Sequence, residues 1–170
     1  MDLASFIRDV PDFPKAGIVF KDITPLLADG EALRTAIHQM VKRHLDTPIA
    51  KVVGIESRGF ILGGVIASKL GCGFVPARKP GKLPSRTLRE EYSLEYGTNA
   101  LEIHQDAITS GETVLIVDDL LATGGTAQAT ARLVERLGGR VVAIEFLVEL
   151  EFLRGRDRLS GYDVQSLIRY

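Results

Sequence analysis

Between Thr113 and Leu147 the chain reads strand, helix, strand, and this order constrains the fold more than any other feature. Thr113 to Val117 and Arg140 to Leu147 are nearly continuous apolar runs, as expected of parallel strands covered on both faces. The Ala-rich segment Thr126 to Leu137 between them reads as a crossover helix. The same alternation occurs upstream. Ile49 to Ile55 reads as a strand, Gly59 to Leu70 as an apolar, Gly-rich helix ended by Gly71, and Gly73 to Ala77 as a short strand. From Glu31 to Leu45, the positions Leu33, Ala36, Ile37, Met40, Val41 and Leu45 fall on one helical face. Strands alternating with helices of this length predict an α/β domain with a mostly parallel twisted sheet flanked by helices.

A length of 170 residues predicts one domain, 1–170, large enough to bury a substantial core. Residues 1–29 are punctuated by Pro11, Pro14, Gly17 and Pro25, which predicts a brief helix and then an irregular cap. The net charge of −1 supplies no global field for nucleic acid or an acidic membrane surface, so neither is an expected partner. One cysteine, Cys72, excludes an internal disulfide and a Cys-based zinc cluster, and reads as a buried structural thiol. No apolar run approaches a membrane span, and the N-terminal residues, with Asp2 and Asp9, lack the apolar core of a signal peptide. A cytoplasmic location is the expectation.

Arg78 to Arg89 changes character. It holds Arg78, Lys79, Lys82, Arg86 and Arg89 with no acid, while Pro80, Gly81 and Pro84 predict a loop without a regular element. Long loops in compact domains are usually functional, and this one, approximately 80–96, reads as mobile. Thr98 to His104 then alternates as a strand.

The chemistry concentrates at VLIVDDLLATGGTA, Val114 to Ala127. In parallel sheets ligands bind beyond the carboxyl ends of strands, and Asp118 and Asp119 follow the strand ending at Val117. Two acceptor-only carboxylates suit a donor-rich partner such as the cis-diol of a ribose, or a hydrated divalent cation. Ala122, Thr123, Gly124, Gly125 and Thr126 then lead into a helix, where close-approaching backbone N–H groups form an anion cradle. A diol binder and a phosphate cradle within nine residues span a ribose 5-phosphate. A capped strand-to-helix turn without a ligand is the plain alternative. A Walker A loop is excluded, because no Lys follows the glycines.

This stretch resembles the signature of the type I phosphoribosyltransferase family, which binds phosphoribosyl pyrophosphate (PRPP). The resemblance implies that family's fold, with a small N-terminal hood (approximately 1–29) over the active site. It also implies that Asp118 and Asp119 bind the ribose hydroxyls, and that Ala122 to Thr126 hold the 5′-phosphate.

Three further stretches resemble the family's adenine branch. For FPKAGIVFKDITPLL, Phe13 to Leu27, the resemblance implies that the hood supplies backbone groups to adenine at Val19 and Lys21, with Phe20 near the ring. Adenine and 6-oxopurines invert one donor–acceptor pair, so the wrong base leaves buried groups unpaired at about 1–3 kcal/mol each. Lys21 stands where the family has Arg, and Ala16 where it has Pro; a main-chain contact tolerates both.

GIESRGF, Gly54 to Phe60, resembles the pyrophosphate loop, whose Glu-Ser peptide is often cis. Here the resemblance implies that Arg58, with amides around Ser57 and Gly59, binds pyrophosphate. Ser57 as a helix N-cap is the alternative. In ARKPGKLPSRTLREEYSLEYG, Ala77 to Gly97, the resemblance implies that Arg78 reaches the pyrophosphate of a neighbouring subunit, hence a homodimer. Lys79 and Lys82 add positive charge, Tyr96 belongs to the closing loop, and Glu95 is the candidate general acid/base.

The activity implied is transfer of the phosphoribosyl group of PRPP to adenine, giving AMP and pyrophosphate, a purine-salvage reaction. Mg²⁺ is the implied cofactor, held by PRPP and water rather than by a protein cage. Two rivals are an enzyme for a 6-oxopurine, and a PRPP sensor that regulates transcription. The hood and the Ser-Leu-Glu-Tyr-Gly segment oppose the first; a net charge of −1 with no DNA-binding domain opposes the second. His38, His44 and His104 carry no expected role.

Overall fold

The computed structural model describes residues 1–94 and 97–170, with backbone alone at Leu94. The chain falls into two compact units, Met1–Gln39 and Met40–Tyr170.

In the first unit a 3₁₀ turn, Leu3–Phe6, is capped by Asp2, whose side chain accepts from the Ala4 N–H at 3.1 Å. Strands β1 (Arg8–Pro11) and β2 (Val19–Asp22) pair antiparallel, with Arg8 opposite Asp22 and Pro11 opposite Val19. The Phe13–Pro14 peptide between them is cis. Helix α1 (Thr24–Ala28) opens with Pro25 in its first turn, where the missing N–H costs no hydrogen bond. Helix α2 (Gly30–Lys42) starts from Asp29, whose carboxylate accepts from the N–H groups of Glu31 and Ala32 at 3.0 and 2.8 Å. Ala36, Ile37, Met40 and Val41 are buried, as their spacing predicts. The helix stops at Lys42, short of the predicted Leu45, which is 64% exposed. Just past that end Arg43 and His44 both turn to the buried Glu145 carboxylate, at 2.6 and 3.0 Å.

In the second unit the chain runs β3 (Lys51–Ile55), α3 (Arg58–Leu70), β4 (Gly73–Ala77), β5 (Thr87–Leu94), β6 (Gly97–His104), β7 (Thr113–Leu121), α4 (Gly125–Arg136), β8 (Arg140–Glu149) and β9 (Val164–Arg169). Five strands form one sheet in the order β4-β3-β7-β8-β9, every pair parallel. This is the α/β architecture that the alternation predicts. Gly71 ends α3 in the left-handed conformation, φ +68, where a side chain would be strained. The two faces of β3 are covered differently. Gly63 of α3 lies so close to Gly54 that a Cβ there would sit 3.4 Å from the Gly54 Cα. On the other parity Val53 and Ile55 join Val75, Ile116, Leu133 and Phe146 in the main core.

Further strands of the second unit depart from the predicted elements. The irregular stretch after Arg78 covers only residues 79–86; from Thr87 the chain forms β5, antiparallel to β6 in full register from Thr87–His104 to Leu94–Gly97. Leu88 and Tyr92 on one face of β5 pack against the core, and Glu90 accepts from Arg136 of α4 at 2.9 Å. Strands β7 and β8 continue to Leu121 and Glu149. Finally, β9 adds an alternating edge strand that the sequence reading missed. Cys72 is half-buried, and burial pushes its thiol up. Among the described residues no helix is long and apolar enough to cross a membrane.

Candidate active site at the carboxyl edge of the sheet

The site arises from unequal strand lengths. Pairing between β3 and β7 ends at Gly54–Val117, whereas β7 and β8 stay paired to Leu121–Glu149. Beyond Val117 one edge of β7 is therefore open, and the paired carboxylates occupy it. Asp118 and Asp119 lie within β7 rather than after it, so alternation sends their side chains to opposite faces. Both nevertheless line one cavity of about 340 Å³, with Glu56, Ser57, Arg58, Lys79, Tyr92 and Thr126.

Helix α3 closes on this edge at Gly59. A Cβ there would lie 2.8 Å from Asp118 Oδ1 and 3.1 Å from the Val117 carbonyl oxygen, so the approach needs glycine. One residue earlier, Arg58 Nε donates to Asp119 Oδ2 at 2.5 Å. Asp118 Oδ1 accepts from the Asp119 N–H at 2.9 Å. Burial, and then the neighbouring Asp119 charge, hold the Asp118 carboxyl well above the usual range, with Arg58 opposing.

The turn before α3 contains a cis peptide, Glu56–Ser57. Ser57 precedes the helix without making a side-chain capping hydrogen bond, which removes the plain N-cap reading. Glu56 Oε1 accepts from Arg78 Nε at 3.1 Å and from the Lys79 N–H at 2.9 Å. The Arg78 guanidinium also lies 5.8 Å from the centre of the Phe60 ring. Arg78 is thus engaged within its own chain. Lys79 lines the cavity, whereas Lys82 is exposed and does not.

Beyond β7 the chain passes Ala122 and Thr123 into Gly124, left-handed at φ +86, and Gly125 starts α4. A second cavity of about 60 Å³ is lined by Ala122, Thr123, Gly124 and Thr126. It shares Asp118, Leu120 and Thr126 with the first, so carboxylates and glycine turn are contiguous. Backbone N–H groups at the start of α4 and the positive end of its dipole suit an anion there.

Val19, Phe20 and Lys21 form most of β2 in the first unit. Val19 is 51% exposed, Phe20 meets Phe13 edge-on at 5.3 Å, and Lys21 pairs with Asp9 at 2.6 Å. Glu95 and Tyr96 lie outside the described residues. Two polar residues of the cavity, Glu56 and Tyr92, are not among the residues expected from sequence. Glu56 sits inside the quoted GIESRGF; Tyr92 was legible as part of the alternation Leu88, Glu90, Tyr92.

The chain matches the model of the phosphoribosyl transferase domain family over residues 22–167. It is 62% identical over 170 residues to an adenine phosphoribosyltransferase of Thermotoga sp. (strain RQ2), covering all of both chains. It is 59% identical to the protein of that name from Christiangramia forsetii, covering 100% of this chain and 99% of that one. Among solved structures, adenine phosphoribosyltransferase from Thermoanaerobacter pseudethanolicus superposes with a TM-score of 0.97 at 54% identity, covering 99% of this chain and 98% of that chain. The Saccharomyces cerevisiae enzyme, solved with adenine and an imino-altritol bisphosphate, superposes with a TM-score of 0.92 at 39% identity, covering 98% and 96%.

Proposed function

Because the chain belongs to the phosphoribosyltransferase family, among its adenine phosphoribosyltransferases, we infer that it makes AMP and pyrophosphate from adenine and PRPP. It is a pentosyltransferase. The observation that carries the residue-level reading is the joining of Asp118, Asp119 and Arg58 to the Ala122–Thr126 turn across two contiguous cavities.

In this reading Asp118 and Asp119 accept hydrogen bonds from the ribose hydroxyls. Ala122, Thr123, Gly124, Gly125 and Thr126 hold the 5′-phosphate. Ser57, Arg58 and Lys79 receive the pyrophosphate, with Lys82 contributing charge at longer range. Breaking the C1–O bond leaves positive charge on the ribose, which fixed carboxylates stabilise without a protein nucleophile. Adenine loses its N9 proton as it attacks, and Glu95 handles a proton at the purine while Tyr96 belongs to the closing loop.

Val19 and Lys21 stand two apart on β2, so their backbone groups point along the same edge, which suits paired recognition of one base edge. Phe20 supplies apolar surface for the ring. The oxygen-rich lining, Glu56, Asp118, Asp119, Ser57 and Thr126, fits hydrated Mg²⁺ arriving with the donor, and among the described residues no His/Cys/Asp/Glu cluster could cage a metal. Bound to the diphosphate, Mg²⁺ would neutralise the leaving group.

A homodimer acting in the cytoplasm completes the reading. Exposed Ile61 and Val65 on α3 and Phe74 on β4, an edge strand, supply an apolar face for a second copy. Arg78 at the end of β4 would exchange Glu56 for the partner's pyrophosphate. Incubation with PRPP, Mg²⁺ and a panel of free bases tests the function. AMP and pyrophosphate from adenine are expected; product from a 6-oxopurine alone, or from no base, would contradict it.

A further inference from the structure

The segment after β8 forms a strap across the base of the glycine turn. Leu150 N–H donates to the Leu121 carbonyl at 3.0 Å, and Arg154 takes a left-handed conformation, φ +54. Gly155 then runs against the turn, backbone to backbone. A Cβ on Gly155 would fall 2.4 Å from the Ala122 carbonyl oxygen, and one on Gly124 would fall 2.5 Å from the Gly155 carbonyl oxygen. Further along, the Arg158 carbonyl accepts from Gln128 of α4 at 3.0 Å. The turn is therefore backed on its far side by one short piece of chain.

Arg156 locks that piece. Its Nε and Nη2 form a fork onto both Glu149 carboxylate oxygens, at 2.7 and 2.8 Å, and Nη1 donates to the Val164 carbonyl at 2.7 Å. Ser166 donates its hydroxyl to Glu149 Oε2, completing a closed network at the ends of β8 and β9. Glu149 is 3% exposed. Burial works to raise its carboxyl, but hydrogen bonds from Arg156 and Ser166, with the charges of Arg156 and Arg169, hold it below the usual range. A bidentate pair whose carboxylate is buried resists displacement, because breaking it strands the Glu149 charge.

We propose that Arg156, clamped by Glu149, is a positioning residue for the donor's 5′-phosphate, setting the geometry of the Ala122–Thr126 turn through Gly155 without touching the donor. Arg156 lines neither cavity. The proposal rests on the assignment of that turn to the phosphate. The clamp acts on one subsite only: the pyrophosphate side, built by Ser57, Arg58 and Lys79, leans on α3 and β4 instead.

The test titrates ribose 5-phosphate and, separately, pyrophosphate into wild type, Arg156→Lys and the double variant Glu149→Gln/Arg156→Met. The double variant removes both charges together, so no buried ion is left unpaired. Ribose 5-phosphate should bind about tenfold more weakly to the folded double variant, while pyrophosphate affinity stays within about twofold. Arg156→Lys keeps the charge without the fork and should fall between. In turnover, KM for PRPP should rise and KM for adenine should not. Unchanged ribose 5-phosphate affinity in a folded variant would overturn the positioning role. So would equal weakening of both ligands, the mark of general loss of structure. Failure of wild type to bind ribose 5-phosphate in competition with PRPP would instead overturn the phosphate assignment, and the clamp with it.

Discussion

Arg58, the first residue of α3, holds Asp119 of β7 through a 2.5 Å bond from its Nε, so a base proposed for pyrophosphate is tied to a carboxylate proposed for ribose. In this assignment the ribose hydroxyls and the diphosphate approach the two partners of one ion pair. Arg58→Ala should therefore weaken pyrophosphate by about 1.5–3 kcal/mol, roughly 10- to 100-fold, because a charge-assisted bond is lost. Arg58→Lys should recover only part, lacking the planar fork. Calorimetric titration with magnesium pyrophosphate reads the difference, and equal affinity in all three proteins would remove Arg58 from the site.

Asp118 gives the unliganded protein a stability cost that depends on pH. Its folded-state carboxyl lies well above the ordinary aspartate range, first through burial and then through Asp119. The folded chain thus holds that proton more tightly than the unfolded chain. Stability from this group is fully present below the ordinary aspartate range and is lost as pH rises through the folded value. Asp118→Asn should raise the Tm at pH 8 and lose that advantage on acidification. Thermal melts at several pH values check this; a gain of constant size across pH would contradict it.

Gly59 is required by the approach of α3 to β7. In Gly59→Ala the new methyl would meet Asp118 Oδ1 and the Val117 carbonyl. Overpacking of this kind costs about 1–3 kcal/mol, and here the backbone oxygen cannot swing aside. Urea denaturation should show the loss, together with weaker PRPP binding. A variant with native stability and native affinity would mean that the helix start is free to shift.

Glu95 carries the proton-transfer role by resemblance alone. Glu95→Gln should lower kcat by about 10²–10⁴-fold with little change in PRPP affinity. Steady-state kinetics beside a donor titration separates the two, and unchanged turnover would exclude the role.

What the sequence made legible follows from how local each signal is. Strands β3, β4, β7 and β8, with α3 and α4, declare themselves by apolar runs and by Gly71 and the Gly124–Gly125 pair, all read within a dozen residues. The length of β7 was not legible, because Asp118 and Asp119 end the apolar run while backbone pairing to β8 carries on. Strand β5 was hidden for a similar reason. Its Leu88–Tyr92 alternation lies beside a basic, Pro-bearing stretch that reads as loop, and it is pairing with β6 and packing against α4 that make it a strand. The strap is the clearest case. Nothing near Gly155 in sequence announces Ala122, some thirty residues earlier, since the contact is made through backbone atoms that carry no side-chain pattern.

The most direct test is PRPP affinity in the double variant Asp118→Asn/Asp119→Asn, measured by calorimetry in the presence of Mg²⁺ beside a melt that confirms folding. If the carboxyl edge of β7 binds the ribose, affinity should fall by about 100-fold or more while the fold remains intact. PRPP bound as tightly as by wild type would contradict the assignment of this edge to the donor.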